Sequence, residues 1–287
     1  MYLVRCPVDE ATPSRTALRV ALRRAVHQLY DSPVVFEDPI AVPLLREMYA
    51  EELRRAGMQP ESAFALAMRS FLVVRSRYAE ENLRCAVESG VSQYVLLGAG
   101  LDTFAYRNPY PGLRVFEVDH PATQAWKREL LRPSGIAIPE SLTFAPVDFE
   151  RQSLTEQIDA AGFDFERPAF FAWLGVVPYL TLEAFRATLK FIAERPADSG
   201  VALDYGQPRE ALPFRERLAH DALAARVQAA GEPFRLFFTP AQMAAEFAGF
   251  RTIEDLGGPE INARYFQGRR DGLGMKGSAG RLLSAWR

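Results

Sequence analysis

Cysteine is nearly absent. Cys6 and Cys85 are the only two in 287 residues, too few for a disulfide framework or a cysteine-based zinc cluster. Both are expected as reduced thiols, and no metal site is expected. Net charge is also small: 34 Lys and Arg against 36 Asp and Glu leave −2. With a pI near 6.0, the chain carries no electrostatic footprint for nucleic acid or an acidic membrane surface. Long hydrophobic runs are missing too. The longest near-apolar stretch, 169–180, is too short to span a bilayer and contains Pro178. The opening M-Y-L-V-R-C-P has no signal-peptide hydrophobic region. A soluble, cytoplasmic protein that engages neither nucleic acid nor membrane is expected. No repeat, low-complexity tract or linker is visible.

The composition that remains, 48% apolar and 24% charged, is that of a globular chain. Its length suits one large α/β domain with additions, or two small domains. Residues 14–30 read as a helix with Ser14 or Thr12 as cap. Asp38-Pro39 opens a short helix, and 61–89 is a long helical stretch with a break expected near Ser76. From residue 92 the pattern alternates. Strands are expected at 94–97, 114–118, 142–147, 169–173 and 200–204, with helices at 122–131, 154–161 and 182–194 between them. A charged helix over 209–231 interrupts the alternation as a candidate lid. A short helix at 240–247, a strand at 251–256 and a last edge strand at 282–286 follow. The fold class is α/β: a doubly wound, mostly parallel sheet. Residues 1–90 form a helical N-terminal cap over its ligand edge, and 91–287 form the sheet domain, with the lid inserted at about 206–245.

The informative stretch is 92–119. An apolar strand, Tyr94–Leu97, runs into Gly98-Ala99-Gly100, and a second strand ends in Asp119. Ligands of parallel sheets sit beyond the carboxyl ends of the strands. There a glycine turn lets the backbone approach, and an acid can accept hydrogen bonds from ribose hydroxyls. A dinucleotide fingerprint would place a third small residue where Thr103 stands. S-adenosylmethionine has no phosphate and needs only the turn, the acid and an adenine pocket. A glycine turn with no nucleotide at all is the plainer alternative.

Asp148, closing the third strand, either accepts the adenine amine or caps the next helix, and Phe149 could pack on the ring face. Arg75 and Arg77 either grip a cofactor carboxylate or solvate a helix face. Candidate bases are His27 and His220, both also readable as surface histidines. His120 follows the ribose acid as a turn or cap residue. Tyr179 and Tyr205, beyond strand ends, face an acceptor or pack. Arg15 and Arg19 could attract an acceptor carboxylate.

Several segments together resemble the leucine carboxyl methyltransferase family, especially its bacterial and secondary-metabolism members. They are S-R-T-A at 14–17, E-D-P-I-A at 37–41, R-S-R-Y-A-E-E at 75–81 and L-L-G-A-G-L-D-T at 96–103. F-E-V-D-H-P at 116–121, W-L-G-V-V-P-Y-L-T at 173–181 and N-A-R-Y-F at 262–266 continue the series. The resemblance implies a class I, seven-stranded Rossmann-like methyltransferase sheet and S-adenosyl-L-methionine as cofactor. It also implies O-methylation of a small-molecule carboxylate or hydroxyl, a polyketide-like product among the options. Arg75 would hold the cofactor carboxylate, Gly98, Ala99 and Gly100 would line the methionine and ribose region, and Asp119 would take the ribose hydroxyls. Asp148 and Phe149 would meet the adenine. The family's acid after the fourth strand is Leu174 here, so backbone carbonyls of Trp173 and Leu174 would substitute; its arginine after L-D-T is Phe104. A nicotinamide-dependent oxidoreductase and a non-catalytic cofactor-binding module are the competing readings.

Overall fold

The structure, a computed structural model, describes residues 14–58, 62–148 and 152–287. Three helices precede the first strand: α1 (Arg15–Tyr30), α2 (Ala41–Met58) and α3 (Ala63–Glu88). The Ser14 side chain accepts from Ala17 N and caps α1, as expected for a residue that satisfies one orphan donor. Asp38 does the same ahead of α2, accepting from Ala41 N at 3.1 Å. That helix is longer than the short one expected, with one non-helical residue at Tyr49. The break expected near Ser76 does not occur. The Ser76 hydroxyl turns back onto the Leu72 carbonyl, 3.5 Å away, and α3 runs on unbroken.

The alternating region follows as β1 (Gln93–Leu97), β2 (Arg114–Asp119), α4 (Pro121–Leu131), β3 (Leu142–Pro146), α5 (Leu154–Ala160) and β4 (Phe170–Trp173). It continues with α6 (Leu182–Ala193), β5 (Gly200–Gly206), α7 (Phe214–Ala229), α8 (Pro240–Glu246), β6 (Thr252–Leu256), α9 (Gly258–Tyr265) and β7 (Gly280–Trp286). The seven strands form one sheet in the order β3-β2-β1-β4-β5-β7-β6. Strands β1 to β5 are parallel, and β7 runs antiparallel to both β5 and β6. The expected last edge strand is therefore interior: β7 inserts between β5 and β6, and β3 and β6 are the edges. Its burial agrees, with Leu282, Leu283 and Ala285 at most 1% exposed.

Two-fold alternation along each parallel strand divides the core between the faces. On β1, Tyr94 and Leu96 join one cluster while Val95 and Leu97 join the other. The first face packs against α3 through Val73, Val74 and Tyr78, whose hydroxyl donates to Ser284 of β7 at 2.8 Å. The second is covered by α5, α6 and α8 through Ile158, Phe185, Ile192 and Met243. A third cluster joins α1, α2 and α4 to Leu101 of the glycine turn, so the N-terminal helices bear directly on the ligand edge. Among the described residues, no helix is long and apolar enough to cross a membrane, and no metal-ligand cluster assembles. The Cys85 thiol is free and exposed.

Candidate active site

The turn after β1 is shaped by two glycines at positive φ, +69° for Gly98 and +50° for Gly100. Gly98 is also crowded: a Cβ there would lie 2.3 Å from Val176 Cγ2. Gly98→Ala combines this clash with left-handed backbone strain, so denaturant unfolding should show a loss of roughly 1–3 kcal/mol. Asp119 at the end of β2 accepts from Gly100 N through one oxygen and from His120 N, at 2.6 Å, through the other. Burial pushes the Asp119 carboxyl up, and these two donors oppose that shift. His120 is the cap of α4, its Nδ1 accepting from Ala122 N at 3.3 Å.

The far side of the turn is tied down by buried charge. Arg24 of α1 donates to the Leu101 carbonyl and to the Asp102 carboxylate. Asp38 accepts from the Thr103 hydroxyl at 2.6 Å, and Arg107 pairs with Glu80 of α3. Phe104 packs edge-to-face on Tyr94, ring centres 4.9 Å apart, so the cation of this stretch is Arg107. Tyr265, of the N-A-R-Y-F segment on α9, donates to Glu81 at 2.7 Å. Segments far apart in sequence thus meet around one turn.

Two cavities open at this edge. The first, about 340 Å³, is lined by the glycine turn from Gly98 to Asp102, Asp119, Val147, Leu174 and Arg75. The second, about 570 Å³, lies between α1, α3, α7 and the end of β5. Its wall is largely apolar, including Phe64, Met68, Phe71, Leu223, Phe234 and Phe237. Thr16, Val20, Arg75, Gly175 and Tyr179 line both. Arg75 is held there by Asp204, Nη1 to Oδ2 at 3.2 Å, and the other Asp204 oxygen accepts from Gly175 N at 2.6 Å. Gly175 has φ +70°, and a Cβ there would sit 2.7 Å from the Arg75 guanidinium and push it aside.

Of the residues singled out from the sequence, Arg75, Gly98, Ala99, Gly100, Asp119, Leu174 and Tyr179 converge on the first cavity. Arg19, Tyr179, Tyr205 and His220 line the second. Others lie elsewhere. Trp173 faces the core, stacked on Phe185 with ring centres 5.3 Å apart, because β4 alternation turns it away from Leu174. Asp148 does not line the cavity, although the preceding Val147 does. Phe149 lies outside the described residues. Arg15 is exposed and lines neither cavity. Arg77 is engaged with Glu81 and the Val35 carbonyl.

His27 is no surface histidine. Fully buried, its Nε2 accepts from Val35 N at 2.8 Å, which leaves Nδ1 to donate to Asp31 at 2.7 Å. Both nitrogens are committed to fixing the α1–α2 connection, so it is unavailable as a base. The Tyr205 hydroxyl donates to Asp255 at 2.7 Å, and burial pushes it far up. Burial likewise holds the Tyr179 phenol up at about 12, so at neutral pH it keeps its proton. Asp204 was missed as a site residue, although its signal was visible as the acid ending G-V-A-L-D. Thr16, Arg24 and Gly175 had no such signal.

The family model for leucine carboxyl methyltransferase matches residues 17–193. YktD of Bacillus subtilis, named for S-adenosyl-L-methionine-dependent methyl transfer, is 32% identical, the alignment covering 91% of this chain and 93% of YktD. A similarly named Mycolicibacterium smegmatis protein is 33% identical over 74% of this chain and 71% of its own. Among solved structures, a Thermobifida fusca protein assigned to the methyltransferases superposes with a TM-score of 0.59 over 99% of both chains. At 18% identity that likeness concerns the fold alone. These relatives set aside the nicotinamide and non-catalytic readings. The chain belongs to the leucine carboxyl methyltransferase family and is an S-adenosyl-L-methionine-dependent methyltransferase.

Proposed function

We propose that the enzyme methylates an oxygen, of a carboxylate or a hydroxyl, on a small apolar acceptor such as a polyketide-like natural product. The acceptor occupies the larger cavity and the cofactor the smaller. The observation that carries this reading is the shared wall: the cavities join at Thr16, Arg75, Gly175 and Tyr179, and only the second is lined by aromatic rings of α3 and the 234–237 segment.

The first cavity's donor set fits the cofactor. A carboxylate offers about four acceptor positions, and Asp119 uses two on Gly100 and His120, leaving two for a ribose diol. Arg75 has five N–H donors, of which Asp204 engages one, leaving a fork for the cofactor carboxylate. Asp204 acts through its two partners, holding the Arg75 guanidinium and the Gly175 backbone beside Leu174. Gly98, Ala99 and Gly100 line the ribose and methionine region, and backbone around Trp173 and Leu174 serves the cofactor's amino end. Residues 1–90 act as the cap and about 206–245 as the lid.

A bound sulfonium supplies a methyl group already activated for transfer, so the chain's own work is alignment and exclusion of water. Arg19 of α1, in the second cavity's wall, supplies a cation for an acidic acceptor. The direct experiment incubates the enzyme with methyl-labelled cofactor and a panel of aromatic acids, phenols, amines and thiols. Label in ester or ether products is expected; transfer only to nitrogen or sulfur would overturn the oxygen assignment. Filling the second cavity alone separates the two pockets. Met68→Trp should raise acceptor KM by roughly 10-fold or more, while S-adenosylhomocysteine binding, read by calorimetry, stays unchanged.

A further inference from the structure

His220 stands on α7, in the wall of the acceptor cavity. Its side chain is only 12% exposed, and its ring lies 5.2 Å from the Phe237 ring. Both ring nitrogens are sealed from solvent and neither has a hydrogen-bond partner. Asp221 Oδ1 lies 3.7 Å from Nδ1, beyond hydrogen-bond reach. Buried polar atoms are almost always paired, so two orphans on one imidazole call for an explanation. The other histidines set the contrast: His27 has both nitrogens engaged, and His120 accepts a cap bond.

We propose that His220 is the proton acceptor for a hydroxyl-bearing substrate, so that the physiological acceptor is a phenol or enol. The inference rests on the O-methylation reading above. With the ring turned to present an unpaired nitrogen to the cavity, that nitrogen takes the hydroxyl proton as the oxygen lone pair forms the new C–O bond. The methyl–sulfur bond breaks with its electron pair passing to sulfur, and the sulfonium becomes a neutral thioether. The imidazolium then returns its proton to solvent by way of the exposed Asp221 carboxylate, 3.7 Å from Nδ1. A carboxylate acceptor would need no such group, being ionised at neutral pH.

The charges around the ring support an oxyanion. On α7 itself are Asp221, Glu216 and Arg226; α1 contributes Arg19 and Arg23, α3 contributes Arg75, and Lys276 closes the wall. The acids are engaged: Glu216 accepts from Ser278, Asp204 of β5 holds Arg75, and Asp221 pairs with Arg209. The cavity therefore carries a surplus of cations toward an acceptor gaining negative charge.

The test uses substituted 2-naphthols of graded acidity as acceptors. For naphthols un-ionised at the assay pH, His220→Gln and His220→Phe should both lose roughly 10²- to 10⁴-fold in kcat. The loss should vanish for naphthols already ionised, since those bring no proton to remove. An independent readout is histidine-ring NMR. With three histidines in the chain, the resonance missing from the variant is that of His220. It should shift when a naphthol is added to the enzyme–S-adenosylhomocysteine complex. Equal loss across the acidity series, no ring shift, or turnover confined to carboxylic acids would overturn the proposal while leaving methyl transfer to oxygen intact. Absence of any oxygen-methylated product from wild-type enzyme would instead strike the reading beneath it. S-adenosylhomocysteine calorimetry on each variant confirms that the fold is retained.

Discussion

Asp119→Ala should weaken S-adenosylhomocysteine binding by roughly 10²- to 10⁴-fold, because two charge-assisted hydrogen bonds at about 1.5–3 kcal/mol each are removed together. The carboxylate sits at the end of β2 with one oxygen on Gly100 N and the other on His120 N, and Asp119 lines the cavity beside the glycine turn. On the reading proposed above, alanine deletes the ribose acceptor and also frees the turn that Asp119 holds in place. Asp119→Asn keeps one acceptor oxygen and should fall between wild type and alanine. Since burial already pushes this carboxyl up, affinity should begin to fall on acidification at a higher pH than an ordinary aspartate would give. Calorimetry across pH reads both effects, with denaturant unfolding as the check on folding. Unchanged heat from the alanine variant would end the assignment of this edge to a ribose.

The strands were readable because parallel strands buried on both faces are short apolar runs, and β1 and β2 are punctuated by a glycine and an acid at their carboxyl ends. That pattern marks Tyr94–Leu97 and Asp119 from the residues alone. Helix α9 was not marked, because its eight residues follow directly on β6 and carry only a brief apolar face at Ile261 and Tyr265. The interior place of β7 was hidden for a different reason: strand order is set by long-range packing, and a run such as L-L-S-A-W reads alike at the edge or inside. The site divides along the same line. Gly98, Gly100 and Asp119 are consecutive in their logic and could be inferred together. Asp204 matters only because β4 and β5 pair in register, Trp173 opposite Leu203, which brings the acid beside Gly175 and Arg75. His27 and His220 look alike in sequence, and only their surroundings separate a histidine with both nitrogens used from one with neither.

Buried charge is the chain's recurrent device for fixing the ligand edge. Asp38, Glu80, Asp102, Arg24 and Arg107 surround the residues after the glycine turn, and each acid there meets a guanidinium, a hydroxyl or a backbone donor. Such groups contribute little net stability when complete and cost heavily when broken. They specify where the turn sits more than how firmly the sheet holds together. Glu80 shows the balance: burial pushes it up to about 7, with Arg107 acting against the shift.

The same reasoning gives the largest stability effect at a pair that touches neither cavity. Glu117 of β2 and Lys127 of α4 are at most 1% exposed, with Oε2 and Nζ 2.7 Å apart but out of hydrogen-bond alignment. Lys127 also lies 5.2 Å from the Tyr106 ring centre, whose hydroxyl is buried without a partner. Burial pushes Glu117 up to about 7 even with the ammonium beside it. Lys127→Met strands the carboxylate and should cost about 3–5 kcal/mol at neutral pH. The cost should shrink on acidification. A carboxyl that prefers its proton in the fold keeps full stability below the ordinary glutamate value and loses it as pH rises through the folded value. The slope is at most about 1.4 kcal/mol per pH unit. The double variant Glu117→Met/Lys127→Met has no buried charge left and should recover to within about 1 kcal/mol of wild type, with a flatter pH dependence. Urea unfolding of the four proteins in this cycle, at pH 5.5 and 8, measures the coupling directly. If the double variant's loss at pH 8 equalled the sum of the two single losses, the pair would carry no coupling and the cost of Lys127→Met would be one of packing alone.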